Sequence, residues 1–352
     1  MEQNISPMSI GIGLGILLLA FVLYNSFTPS ESKAASVAES NFSVYPLVTK
    51  LAPLGCPQSE RLCDYYLASS SYSVFPAAKI YDYISDSVIT EAIKAGVRLV
   101  ELDIYSDSND KPVVGLKNQK LGIDYAYNTV PFEACVNAIG NNAFNSVSSA
   151  VSSDPFILSL VFHTNKTIVI NAAAEILKTS ACKTFMLDKK FGYQRINLAI
   201  EPICNLQSKL IIVSGGSMKG TLMEELVNLS WSESHCRRLT YTQASQTYDA
   251  EELIEFNRNN ITIVVPDIGE DLVNKNPQIL FTYGCQWIMM NYGSLDSMME
   301  LYIGEFQQKS TSLKPAALRP QIPKQYKQPA VADPNLSFQP MKQTSPIYKI
   351  TV

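Results

Sequence analysis

The chain opens with a stretch that does not alternate between apolar and polar positions. From Met8 to Tyr24 it reads Met-Ser-Ile-Gly-Ile-Gly-Leu-Gly-Ile-Leu-Leu-Leu-Ala-Phe-Val-Leu-Tyr, without a charge. A bilayer-spanning helix needs about 20 apolar residues, with about 17 as the lower limit. The run therefore predicts a retained single-pass transmembrane anchor over residues 1–28. A cleaved signal peptide is the competing reading, but it calls for a basic start and a small-residue cleavage site. Here the early side-chain charge is Glu2, and no clear cleavage site follows Tyr24. The side of the membrane is left open, because the nearby basic residue Lys33 stands beside Glu31. Residues 29–60 are rich in Ser, Ala and Pro, lack a sustained period, and read as a stalk.

From residue 61 to 319 the pattern moves between a helical period and strict alternation. Helices are predicted at 86–95, 131–143, 168–178 and 250–259, and strands at 97–104, 111–114, 156–162, 209–214, 261–265 and 286–291. Helices interleaved with strands over so long a stretch imply a parallel sheet, and at this length a closed barrel. Residues 320–352 hold six prolines and four lysines, which predicts an extended, mobile tail.

One strand carries chemistry. In Ala95-Gly96-Val97-Arg98-Leu99-Val100-Glu101-Leu102-Asp103-Ile104 a helix end and a glycine stop lead into an apolar strand that finishes in two acids. Alternate side chains share a face. Val97, Leu99, Glu101 and Asp103 therefore point one way, and Arg98, Val100, Leu102 and Ile104 the other. Carboxylates at the carboxyl end of a barrel strand sit where such folds keep a metal or an acid/base pair. The histidines, His163 and His235, stand far from these acids in the chain.

Composition narrows the partners. The net charge of −4 gives no reason to expect nucleic acid. Seven cysteines contain no CxxC pair. Cys56 and Cys63, with six residues between them, either bridge in an oxidising compartment or remain thiols. Sequons begin at Asn41, Asn165, Asn228, Asn260 and Asn335 and matter only if the domain is lumenal or external. The stretch Gly215-Gly216-Ser217-Met218-Lys219-Gly220 follows a strand but lacks phosphate-loop spacing and reads as a plain turn.

A series of blocks then points to a family. They are Leu67-Ala68-Ser69-Ser70-Ser71, Val100-Glu101-Leu102-Asp103, Pro112-Val113-Val114, Pro155-Phe156-Ile157-Leu158-Ser159-Leu160, Ser230-Trp231-Ser232-Glu233, Gly284-Cys285-Gln286-Trp287 and Leu313-Lys314-Pro315-Ala316-Ala317-Leu318-Arg319. In this order they resemble the catalytic barrel of phosphoinositide-specific phospholipase C in its eukaryotic two-part form. The resemblance implies an α/β fold, a TIM-type (β/α)8 barrel of the phospholipase C-like phosphodiesterase kind, over 61–319.

It also implies a chemistry that these residues do not supply. The family moves protons with two histidines and offsets phosphoryl charge with calcium. The histidine positions are Ser71 and Leu116 here, and a calcium-ligand asparagine is Tyr72. Glu101 and Asp103 match two calcium ligands, but the third carboxylate position is Val161. Calcium prefers six to eight oxygens. The expectation is therefore no cofactor, or weak Ca2+ at Glu101 and Asp103, with a pair hydrogen-bonded to neighbouring strands as the alternative. On the substrate side the family's lysines correspond to Val213 and Gly215, with Lys219 nearby, and its arginine and tyrosine to Ile263 and Val265. Ser230 or Ser232 matches a serine near the phosphates. His163 matches a histidine outside the family's catalytic set.

Three functions follow as expectations. The first is a membrane-anchored, catalytically silent barrel acting as a structural or interaction protein. It would hold membrane lipid through the N-terminal anchor and protein partners through the barrel surface and the 320–352 tail. The second is a divergent, metal-assisted phosphodiesterase acting on a phospholipid head group, with His163, Tyr72 or Tyr105 moving protons. The third is a lipid head-group binding module without turnover.

Overall fold

The structure, a computed structural model, describes residues 7–27, 30–45, 51–118, 121–267, 272–320, 342–347 and 349–351. Eight parallel strands build the centre: β1 (Ser69–Ser71), β2 (Leu99–Ser106), β3 (Phe156–Phe162), β4 (Leu210–Ser214), β5 (Leu229–Ser230), β6 (Cys236–Thr240), β7 (Ile261–Val265) and β8 (Trp287–Asn291). Their hydrogen-bonded order is β5-β4-β3-β2-β1-β8-β7-β6, so the barrel is closed except between β5 and β6. Most of these strands are predicted by the alternation. The antiparallel ribbon of Tyr65–Leu67 with Thr311–Leu313 is not. Nor are β1, β5 and β6.

Alternation along each strand sorts the core into two layers. Leu99, Ile157, Ile211, Val213, Ile263, Trp287 and Met289 fill the barrel interior. Val100, Leu102, Ile104, Leu158, Leu160, Ile212, Val264, Ile288 and Met290 face the surrounding helices. Those helices include α3 (Ser87–Lys94), α4 (Phe132–Asn142), α5 (Thr167–Thr179), α6 (Tyr241–Ser245), α7 (Ala250–Asn259), α8 (Gln278–Thr282) and α9 (Ser297–Glu305). Gly96, at φ 93°, ends α3 in the left-handed conformation that favours glycine and turns the chain into β2. Arg98 lies on the face away from the acids, as the alternation predicts. It is fully buried, donates to the carbonyls of Ala143, Asp154 and Pro155, and lies over the Phe156 ring.

The N-terminal region departs from the stalk reading. Helix α1 (Pro7–Phe27) is followed by α2 (Glu31–Phe42), which packs against α3 and buries Ala34, Ala38 and Phe42. The Tyr45 hydroxyl donates to the Tyr292 carbonyl, and the Leu54 amide donates to Asp154. Cys56 forms a disulfide with Cys204, not with Cys63, which is a buried thiol. Small apolar residues at helical spacing, too few to signal a helix alone, gain stability by burial against the barrel. Among the described residues no helix is long and apolar enough to cross a membrane. The described side chains of α1 are those of residues 13–24, within a helix of 21 residues.

Residues 320–352 form a separate unit in which Lys342–Thr344 pairs antiparallel with Lys349–Thr351. The expectation of a mobile tail at 321–341 lies outside the described residues. Asn335 also lies outside them. The Asn228 side chain is buried and accepts from the Ile212 amide, so this sequon is closed to modification in the folded chain.

Candidate functional site

At the carboxyl ends of the strands a cleft of about 110 Å³ opens. Ser71, Tyr72, Glu101, Asp103, Leu116, Val161, His163, Arg238, Val265 and Asp267 are among the residues that line it. The topology explains the gathering. Glu101 stands opposite Ser159 and Asp103 opposite Val161 across the β2–β3 ladder, while Ser71 ends β1 beside Asn291 of β8. The two acids thus reach one place, as their spacing predicts, and Leu116 and Val161 line the same place as hydrocarbon.

Glu101 is almost fully buried and is not free to bind a metal. Its Oε1 accepts from Arg238 Nη2 at 2.8 Å, and its Oε2 accepts from Arg238 Nε at 3.3 Å and from the Ser159 hydroxyl at 2.9 Å. Burial alone would lower the Arg238 pKa, yet Glu101, with Asp103 behind it, holds the guanidinium above its ordinary value. The Arg238 guanidinium lies 5.5 Å from the Trp231 ring centre. Trp231 packs in turn on Gly215, where a Cβ would come within 2.5 Å of the indole nitrogen. The glycine-rich stretch is therefore a close-packed turn that seats Trp231.

Asp103 has a partner that the chain order hides. His163 Nε2 donates to Asp103 Oδ1 at 2.6 Å. The His163 ring stacks on Tyr105 with centroids 4.6 Å apart and planes 12° from parallel, and its backbone amide donates to Ile104. The contact is the one that a proton-handling role for His163 beside these acids requires. Residue 163 lies just past β3, and parallel pairing of β3 with β2 carries it alongside Asp103. His235 stays away and interacts with Asn260 at 3.1 Å on an exposed surface.

Other groups in the cleft are poorly suited to proton traffic near neutrality. Burial, with the nearby charge of Asp103, pushes the phenols of Tyr72 and Tyr105 well above the ordinary tyrosine range. Ser71 is 3 % exposed, and its hydroxyl has no hydrogen-bond partner. Tyr72 adopts φ 51°, a left-handed backbone rare for a bulky residue.

These donors do not fit calcium. Both oxygens of Glu101 are engaged by a cation, Val161 supplies no oxygen, and Asp103 is held by His163. Among the described residues no group of three or more His, Cys, Asp or Glu side chains is arranged to hold a metal ion. Glu101 and Asp103 stand instead in two hydrogen-bonded pairs, one with Arg238 and one with His163. Ser230 and Ser232 are not brought to the cleft, because β5 is short and the Ser230 hydroxyl turns back to accept the Ser232 amide. Lys219 pairs with Glu233 on the surface. Arg238 is the residue that sequence reasoning missed. The available signal was the adjacent pair Arg237-Arg238 on an alternating strand, which sends one arginine outward to Glu252 and the other inward.

The eight-stranded parallel barrel has the fold of the phospholipase C-like phosphodiesterases, and part of the chain is similar to one of their families in sequence. Residues 58–214 match the family profile described as "Phosphatidylinositol-specific phospholipase C, X domain". The crystal structures of PLC21 from S. officinalis and from L. pealei superpose with a TM-score of 0.63 and 19 % identity in each case. They cover 76 % and 77 % of this chain, and the chain spans 39 % of the length of each. No curated protein sequence matches the chain.

Proposed function

We propose that this chain is a membrane-held, phospholipase C-like barrel that has lost metal-assisted phosphodiester cleavage and serves as a structural or interaction module. The observation that carries this reading is the Arg238 guanidinium bound to both oxygens of Glu101, where the family's metal chemistry needs a free carboxylate. Proton transfer at neutral pH needs groups that titrate near it. Ser71 and Leu116 supply a hydroxyl and hydrocarbon instead. Membrane attachment is supported by α1, which is uncharged over 21 residues. Its Leu14, Ile16, Leu17, Leu18, Leu19 and Phe21 are all exposed.

The test is incubation of the full chain with phosphatidylinositol in mixed micelles, with calcium and with EDTA. No release of inositol phosphate above background is expected. Calcium-stimulated release lost in Glu101→Ala would overturn the reading. Alkaline carbonate extraction of membranes from expressing cells tests the attachment: the chain is expected in the pellet, and full release refutes it.

The 2.6 Å contact of His163 with Asp103 favours one further reading, a divergent phosphodiesterase that uses this pair for proton transfer. Turnover that survives EDTA and disappears in His163→Ala would establish it. A rate equal to background in the wild-type chain would remove it.

A further inference from the structure

We infer that Asn165 is the acceptor for an N-linked glycan and that the barrel lies in an oxidising, lumenal or external compartment. This goes beyond the proposed function. It holds whether or not the cleft turns over lipid, and it shares with that reading only the N-terminal helix. Two independent observations carry it. The first is the placement of the cysteines. Cys56 is exposed and Cys204 half-buried, and these two form a disulfide with Cα atoms 4.7 Å apart, within the range a bridge requires. The other five cysteines, Cys63, Cys135, Cys182, Cys236 and Cys285, are buried thiols. An accessible disulfide is reduced by the thiol pools of the cytosol and persists outside them. It forms by exchange with a disulfide-bearing oxidoreductase, which takes up the two electrons and two protons that the thiols give up.

The second observation is the state of the sequons. Asn165-Lys166-Thr167 lies where the chain leaves β3 for α5, and all three residues are exposed. Among the described residues no hydrogen bond engages the Asn165 amide or the Thr167 hydroxyl, the two groups that the modification uses. The other described sequons are closed. Asn41 is half-buried, and its Nδ2 donates to the Pro76 carbonyl. Asn228 is buried. Asn260 Nδ2 donates to the Phe256 carbonyl, and Thr262 is fully buried with its hydroxyl on Asn257. A bulky, hydrated sugar fits a surface loop, and on any of these three it would have to displace packed contacts. The step is a group transfer from an oligosaccharide carried on a polyprenyl pyrophosphate. A bond forms from Asn165 Nδ2 to the sugar C1, and the C1–oxygen bond breaks. The pyrophosphate leaves with that electron pair, and one amide proton passes to a base of the transferring enzyme. The sugar then stands two residues past His163, at the rim of the cleft.

The experiment expresses the full-length chain in cultured animal cells. The chain is denatured with a thiol-alkylating reagent before any reductant is added, treated with a peptide N-glycosidase, and mapped by mass spectrometry. The glycosidase converts a glycosylated asparagine to aspartate, so each sequon is read separately. Asn165 is expected to be occupied, and Asn41, Asn228 and Asn260 to be bare. Cys56 and Cys204 should resist alkylation until reduced, while the five buried thiols react. Asn165→Gln and Thr167→Ala should each abolish the modification at this sequon, and Thr167→Ser should keep it. These substitutions fall at exposed positions, so they leave the barrel core untouched. An unmodified Asn165, a glycan carried only on another asparagine, or Cys56 alkylated without reduction would overturn the inference. A glycosylated chain that alkaline carbonate releases overturns only the membrane attachment. A membrane-held chain with a bare Asn165 overturns only this inference.

Discussion

Replacing Glu101 and Arg238 singly and together measures what holds the cleft. The Glu101 side chain is 7 % exposed and that of Arg238 is 24 % exposed, so each single replacement strands a largely desolvated charge. Removing one partner of a buried pair typically costs about 3–5 kcal/mol, whereas replacing both with apolar residues of similar volume is about neutral. The partial exposure of Arg238 lets water relieve part of the penalty. About 2–4 kcal/mol is therefore expected for Arg238→Met and a similar loss for Glu101→Met, where Asp103 and Ser159 give incomplete compensation. The double variant should lie within about 1 kcal/mol of wild type. The coupling from the cycle is then about 3 kcal/mol or more. Urea unfolding of the full-length chain at pH 7, followed by circular dichroism, reads all four free energies. Effects that add to within about 0.5 kcal/mol would refute the pairing, since that is the behaviour of independent sites.

Three further outcomes follow from other parts of the fold. Lys314 is buried, donates to the Asn257 and Gly284 carbonyls, and has its pKa lowered from 10.5 to about 8 by desolvation. Between these values the unfolded chain binds more protons, so the contribution of Lys314 to stability rises with pH over this window, by about 3 kcal/mol in total. Subtracting the profile of Lys314→Met from that of wild type between pH 7 and 11 isolates the effect, and parallel profiles would exclude it. The Cys56–Cys204 disulfide closes a span of 148 residues. Cys56→Ser with Cys204→Ser should lower stability by up to about 5 kcal/mol on the chain-entropy account. Intact-mass analysis with and without reductant establishes the bond, and unchanged thermal unfolding on its removal would refute its structural role. Gly215→Ala drives a methyl into Trp231, with an expected cost of about 1–3 kcal/mol and a shift in tryptophan emission; an unaltered spectrum would contradict the packing.

Much of the barrel was legible because burial imposes a period on a strand. Leu99, Glu101 and Asp103 had to share a face once residues 97–104 were read as a strand, and Arg98 had to lie on the other. Helix α2 was not legible. Its apolar residues, Ala34, Ala38 and Phe42, are few, and their burial depends on a surface that α3 supplies. Strand β6 was obscured because Arg237 and Arg238 look solvated in sequence. Arg238 is admitted to the interior only by the carboxylate waiting there.

Taken alone, the amino-acid sequence determined the alternation of strands and helices that implies a barrel, the two acids at one strand end, and hydroxyl or hydrocarbon at Ser71, Leu116 and Val161. These are properties of residue type and local period. Only the tertiary structure decided the partners. Arg238 reaches Glu101 across 137 positions of the chain and His163 reaches Asp103 across 60. Strand register in the nearly closed barrel sets both distances. The physical reason is that a carboxylate taken out of water must be paired, and which cation or donor pairs it depends on which strands the fold brings side by side.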